Sequence, residues 1–260
     1  MKIAVTGGAT GIGRELVGLY KKQGASVTVF DILEPDYAVD QYIAMNLASP
    51  ESIERAVAQA EGPFDALCNV AGLPPREGNG PLGLRVNFLG TRQFTQAMLN
   101  KLSDGAAIVN VASKAGAMWR QNSDQVKQLM ALPAEADSEA FCEQNKIDDT
   151  RAYNLSKEAV IVWTMAECEA LLAKGIRMNT VSPAAVETGI LKEFKAAFGE
   201  ATQRNINRVG RAGSPEEIAE VVLFLASAQS NWLKGIDICV DGGMGACNIT
   251  DALELNSCVA

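Results

Sequence analysis

The sequence predicts an α/β fold, a single doubly wound domain with a parallel sheet of about seven strands and helices on both faces. Three observations predict it. Short apolar runs alternate with longer amphipathic stretches along the whole chain. A glycine-rich turn containing Gly7, Gly11 and Gly13 joins the first run to the first amphipathic stretch. The 260 residues, 48% of them hydrophobic, suffice for one large core.

Residues 2–6 form the first apolar run, and the segment from Arg14 to Tyr20 reads as an amphipathic helix that Gly24 ends. Further strands are expected near 26–30, 65–69, 106–112, 175–181 and 236–240. One domain spans 1–260. Ligands of such sheets bind at the carboxyl ends of the strands, beside the point where strand order reverses. Asn69, Ser113 and Pro183 fall at such ends.

The turn reads Thr6-Gly7-Gly8-Ala9-Thr10-Gly11-Ile12-Gly13. At the first strand-to-helix junction of a Rossmann fold, glycines let the backbone approach a pyrophosphate, and the helix N-terminus offers free N–H groups. Asp31 closes the second strand. Its carboxylate can accept bonds from ribose hydroxyls and would repel a 2′-phosphate, and no Lys or Arg lies in 8–13 or 32–40 to hold one. The expected cofactor is therefore NAD rather than its phosphorylated form.

Tyr153 and Lys157 stand four residues apart in Tyr153-Asn154-Leu155-Ser156-Lys157, on one helical face. A phenol ordinarily titrates near pH ~10, and an adjacent cation is expected to bring it toward neutrality, where it can act as a base. There is no histidine in the chain, which excludes Ser-His-Asp hydrolysis and His-ligated zinc, and no metal site is expected.

Together these residues resemble the short-chain dehydrogenase/reductase family, and the resemblance covers nearly the whole chain. The Thr6–Gly13 turn, Asn69-Val70-Ala71-Gly72, Asn87 in Val86-Asn87-Phe88, Ser113 after the strand near 106–112, the Tyr153/Lys157 pair, the Pro183 loop through Thr188 and the closing Val240-Asp241-Gly242-Gly243 match its motifs in order. The resemblance implies a catalytic set of Asn87, Ser113, Tyr153 and Lys157. It implies cofactor contacts from Gly7, Thr10, Gly11, Ile12, Gly13, Asp31, Asn46, Leu47, Asn69, Ala71, Gly72, Tyr153, Lys157, Pro183, Val186 and Thr188. Ala184 departs from the family's loop glycine, which puts the local backbone in question.

The largest departure is length. Forty residues separate Ser113 from Tyr153, far more than the family usually places there. The inserted segment, about 118–150, reads as two short helices before the Tyr-x-x-x-Lys helix. Ser123 is the expected cap of the first, Val126, Leu129 and Met130 share one face, and Pro133 separates it from a second helix carrying Phe141. Such an insertion resembles the subgroup of bacterial coniferyl-alcohol dehydrogenases and 3α-hydroxysteroid dehydrogenase/carbonyl reductases, with the coniferyl-alcohol branch nearer.

Composition adds limits. A net charge of −8 without a basic stripe argues against nucleic acid or anionic lipid, and no apolar run is long enough for a membrane span. Six cysteines without metal-type spacing, and a chain that enters a strand at once, suggest reduced thiols in a cytoplasmic protein.

The implied reaction is oxidation of an alcohol or reduction of its carbonyl. Ser113 holds the substrate oxygen, Tyr153 moves its proton, Lys157 steadies the phenolate, and Asn87 holds a water leading to solvent. Candidate substrate contacts are Leu73, Ser113, Met118, Trp119, Tyr153, Ile190, Leu191 and Phe194, with Phe198 beside them, bounded by a loop at about 184–213. The apolar members fit ordinary core equally well. The set suits a small lipophilic alcohol or ketone, with an aryl-allylic alcohol such as coniferyl alcohol first and a 3α-hydroxysteroid as the alternative. A 3-oxoacyl thioester reductase or a non-catalytic NAD-sensing protein fits less well. The insertion stands where family tetramers usually pair, so a homodimer through the last strand and its preceding helix is expected, with a tetramer still open; alternatively the insertion is a substrate lid.

Overall fold

The computed structural model describes residues 1–255. Seven strands form one sheet: β1 (Lys2–Thr6), β2 (Ser26–Asp31), β3 (Gln41–Ala44), β4 (Phe64–Asn69), β5 (Leu102–Val111), β6 (Arg177–Pro183) and β7 (Asp237–Val240). All pairs are parallel, in the order β3-β2-β1-β4-β5-β6-β7. The order reverses between β1 and β4, and a crevice opens there at the strand ends.

Alternation along each strand divides the interior into two cores. Ala4, Leu67 and Ile108 face one, while Ile3, Val5, Cys68 and Val109 face the other. The second core is closed by α1 (Gly11–Lys22), through Leu16, Val17 and Tyr20. The first is closed by α2 (Pro50–Gln59) and by a long helix of three parts: α3 (Gly80–Leu84), a π-helical turn at Arg85–Gly90, and α4 (Thr91–Met98).

β3 was not among the expected strands. It has four residues, of which only Ile43 is buried, so neither alternation nor an apolar run marks it. β5 begins at Leu102 rather than near 106, because a register shift at Phe64/Ala66 lets its exposed start pair with β4.

The insertion is helical, with α5 (Ser123–Met130) and α6 (Ser138–Gln144) leading into α7 (Asp149–Ala166). Val126, Leu129 and Phe141 are buried. Ser123 is not the cap. Asn122 occupies that position, with its side chain turned away to donate to Glu158 Oε1 at 2.7 Å. α6 and α7 are capped by Asp137 and Asp148.

Two buried arginines fasten the insertion to the long helix. Arg92 donates to the carbonyls of Met130 (2.6 Å) and Leu132, and Arg85 to those of Ala48 (3.3 Å) and Ala134. Arg92 spends its guanidinium N–H groups on main-chain oxygens left over at the end of α5, and Arg85 on those of two loops.

After α7 come α8 (Cys168–Leu172), α9 (Leu191–Phe198), α10 (Glu200–Val209), α11 (Pro215–Ala226) and α12 (Met244–Ala252). α11 packs Ile218, Ala219 and Val222 into the second core, and its first turn carries a capping box between Ser214 and Glu217. Trp163 is 3% exposed, stands edge-on to Phe88 at 6.3 Å and donates to Glu167 Oε1 at 3.0 Å, which makes it packing. Ala184 adopts no positive φ, and its N–H donates to Val240 O at 3.2 Å, so the backbone takes it without strain. The five described cysteines are free thiols, Cys68 being buried, and Cys258 lies outside the described residues. Among the described residues no helix is long and apolar enough to cross a membrane.

Candidate active site

The glycine turn is interlocked. A Cβ on Gly13 would stand 2.0 Å from Gly7 O, and one on Gly7 would stand 2.7 Å from Ala71 N. Gly7 also has φ +70°, a conformation that a side chain would strain. Thr6 holds the two strand ends together, its Oγ1 accepting from Val70 N and Ala71 N at 3.1 and 3.2 Å. α1 then begins at Gly11 with no side-chain cap and no acid in its first turn. Its N–H groups and positive dipole end thus face the crevice uncompensated, the arrangement a pyrophosphate requires.

Asp31 lines the same crevice. Its Oδ2 accepts from Ala9 N (2.9 Å) and its Oδ1 from Leu33 N (3.1 Å), so the carboxylate is fixed at the end of β2. The nearby cation, Arg14, is engaged by Asp36 at 2.7 Å and lies over the Tyr37 ring at 4.9 Å. A 2′-phosphate would meet the Asp31 carboxylate here. These features fit an NAD-type dinucleotide.

Deeper in, α7 presents Tyr153 and Lys157, and the end of β5 presents Ser113. Lys157 Nζ donates to Val111 O at 3.0 Å and stands 5.9 Å from the centre of the Tyr153 ring. Burial pushes the Tyr153 phenol up to about 12, with the Ser113 hydroxyl pulling the other way. Burial also brings Lys157 down to about 8. The expected lowering of the phenol by the ammonium is therefore not the direction found. Desolvation disfavours both charged forms.

Asn87 lies within the π-helical turn, where the altered helical register brings its amide beside a neighbouring loop. Its Oδ1 accepts from Leu73 N (2.7 Å), and its Nδ2 donates to Leu73 O (3.0 Å) and Ser156 Oγ (3.3 Å). The side chain is thus committed to the loop after β4.

One cavity of about 1270 Å³ joins these parts. It is lined by Gly7, Thr10, Gly11, Ile12, Gly13, Asp31, Asn46, Leu47, Ala71, Gly72, Leu73, Ser113, Met118, Tyr153, Lys157, Pro183, Val186, Thr188, Ile190 and Phe194. Four expected site residues are placed elsewhere. Asn69 is 3% exposed and points into the interior, donating to Thr95 Oγ1 and Asn110 Oδ1, both at 2.8 Å. Asn87 stands behind the Leu73 loop. Trp119 packs against the first core under the Arg120 guanidinium at 4.2 Å, since the turn that aims Met118 at the cavity turns its neighbour away. Leu191 begins α9 and lies off the cavity, where Ile190 takes its place.

The cavity also has walls not expected from sequence. α10 contributes Ala201, Thr202, Asn205, Ile206 and Val209, and α12 contributes Met244 and Asn248. The spacing of the α10 residues is one helical face, a signal available in the sequence. Over the phenol, Phe194 and Phe198 stand edge-on to Tyr153 at 5.4 and 6.3 Å and stack on each other at 6.4 Å.

Comparison with known proteins agrees with this geometry. Residues 1–124 match the short chain dehydrogenase family, and residues 139–245 match the family described as enoyl-(acyl carrier protein) reductase. A coniferyl-alcohol dehydrogenase from a Pseudomonas strain is 35% identical over 247 residues, covering 94% of this chain and 96% of that one. A 3-alpha-hydroxysteroid dehydrogenase/carbonyl reductase from Comamonas testosteroni is 28% identical, covering 94% and 96%. The crystal structure of the 3-alpha-hydroxysteroid dehydrogenase from Pseudomonas sp. B-0831, complexed with NADH, superposes with a TM-score of 0.84 at 31% identity, covering 95% and 98%.

Proposed function

The chain belongs to the short-chain dehydrogenase family, and from that premise we propose that it is an NAD-dependent oxidoreductase interconverting a lipophilic alcohol and its carbonyl. The carrying observation is the convergence of Tyr153, Lys157 and Ser113 on a cavity whose remaining walls near the phenol are apolar and aromatic. An aryl-allylic alcohol such as coniferyl alcohol suits those walls best, a reading that the 35% identical relative supports. A 3α-hydroxysteroid is the second reading, supported by the similarity of fold to the NADH-bound enzyme.

NAD⁺, when bound, supplies the hydride acceptor. The interlocked glycines and the start of α1 would hold its pyrophosphate, Asp31 its adenosine ribose, and Thr188, which stands over Gly11, its nicotinamide end. Ser113 donates to or accepts from the substrate oxygen and orients it. Tyr153 takes the hydroxyl proton in oxidation and returns it in reduction. Lys157 stabilises the phenolate while it exists and places a positive charge beside the cofactor's sugar. The Asn87 Nδ2 is engaged by Leu73 and Ser156 while its Oδ1 accepts only from Leu73 N, which leaves that oxygen one lone pair for a water leading the proton outward.

The purified protein, NAD⁺ and either coniferyl alcohol or a 3α-hydroxysteroid test this by NADH absorbance. Turnover of the first selects the aryl-allylic reading, and turnover of the second selects the steroid reading. Silence on both with NADH binding intact would remove the substrate assignment. The quaternary arrangement proposed with it is a homodimer through β7 and α11, with Phe224 of α11 38% exposed and Trp232, in the connection between the two, 94% exposed. A tetramer by light scattering would refute it. Free thiols at all five described cysteines support a cytoplasmic location.

A further inference from the structure

The walls of the cavity differ in chemistry. Around the phenol of Tyr153 it is aromatic, closed by Phe194 and Phe198. On the wall where α10 and α12 meet, two carboxamides and the Thr202 hydroxyl stand among apolar side chains. Asn205 shares a helical face with Ala201, Ile206 and Val209, is half-buried, and its side chain bonds to no described protein group. Asn248, more exposed, is oriented by a neighbour. Its Oδ1 accepts from Arg208 Nη1 at 3.4 Å, and Arg208 is itself held by Asp251 Oδ2 and Oδ1 at 2.6 and 2.9 Å. With its carbonyl turned to the guanidinium, Asn248 keeps Nδ2 as a donor.

We propose that Asn205 and Asn248 form a polar far subsite that receives an oxygen atom at the end of the substrate opposite its carbinol. On an aryl-allylic alcohol that atom is a ring hydroxyl or ether oxygen. The inference rests on the oxidoreductase reading of the same cavity. A substrate ending in hydrocarbon would cover both amides without pairing them, and unpaired polar groups in a covered site select against it.

Calorimetric titration of the protein–NADH complex with 4-hydroxycinnamyl alcohol and with cinnamyl alcohol tests the subsite, alongside initial rates with NAD⁺. The hydroxylated alcohol should bind about five-fold more tightly, as one partly exposed hydrogen bond allows. The preference should shrink in Asn205→Leu and in Asn248→Leu and vanish in the double variant. Should the double variant fail to melt cooperatively, Arg208→Gln, which frees the Asn248 carbonyl, should reduce the preference instead. Equal affinities, or a preference surviving in these variants, would overturn the subsite whatever the turnover. Hydroxyl-dependent binding without turnover would keep the subsite and overturn the reaction. Binding of neither alcohol would overturn both.

Discussion

The guanidinium of Arg151 and the carboxylate of Glu158 meet in two parallel hydrogen bonds, 2.9 and 2.7 Å long, across two turns of α7. Glu158 is fully buried, and Arg151 and Asn122 bind it while Arg151 also reaches Gln125 Oε1 at 2.7 Å. The pair therefore brackets Tyr153 and Lys157 and welds α5 to the helix that carries them. Glu158→Ala should destabilise the protein by about 3 kcal/mol, since an uncompensated arginine is left behind. Urea melts read this, and limited proteolysis should show earlier cleavage within 118–150.

Tyr153→Phe removes only the hydroxyl of a ring packed against Phe194 and Phe198. It should lower kcat by about 10²–10⁴-fold while leaving NADH binding and the melting temperature nearly unchanged. A variant keeping more than about a tenth of the wild-type rate would remove the acid–base assignment.

The direction of the phenol's shift sets the pH behaviour. With Tyr153 held up to about 12, the phenolate that takes the alcohol's proton is a minor species at neutral pH and grows as pH rises. The kcat/KM for oxidation should climb steadily with pH above neutrality, whereas carbonyl reduction should stay flat over the same range. Initial-rate profiles in both directions check it.

Lys157 should cost stability that function requires. Its pKa is about 8 in the folded protein against an ordinary 10.5, so below pH 8 the fold carries a buried ammonium that the unfolded chain holds more easily. Between those values the unfolded chain binds more protons, and wild-type stability rises with pH. Lys157→Met should therefore be more stable than wild type at neutral pH, by up to about 3 kcal/mol, with the gap closing as pH rises past the folded value. Urea melts at two pH values measure this, and the variant should be inactive at both.

Asp31→Ser should raise the ratio of NADP⁺ to NAD⁺ use at least about ten-fold, by removing a repulsion worth more than 1.4 kcal/mol (roughly, for adjacent charges). The substitution also takes the acceptor away from Ala9 N and Leu33 N, so a lower melting temperature should accompany it.

Sequence made the sheet, the glycine turn and the Tyr153/Lys157 pair legible because each depends on local spacing. β3 escaped because four residues with one buried side chain carry no period. The place of Asn69 escaped because a strand-end amide can turn toward a ligand or toward Thr95 and Asn110, and only packing decides. The sign of the Tyr153 shift needed the depth of burial, which charge spacing cannot give. Asn205 and Asn248 stand far apart in sequence, and only the packing of α10 against α12 brings both to one cavity.

The β1–β4 ladder has a consequence for synthesis. The glycine turn is complete once Ala71 backs Gly7, so everything that would grip the pyrophosphate lies within the first 72 residues. Ser113, Tyr153 and Lys157 emerge later, and β5 must add to the waiting edge of β4 before they can converge. On the ribosome, the nucleotide half can therefore mature first and template the reactive half, with the bare β4 edge as the stretch most in need of a chaperone meanwhile.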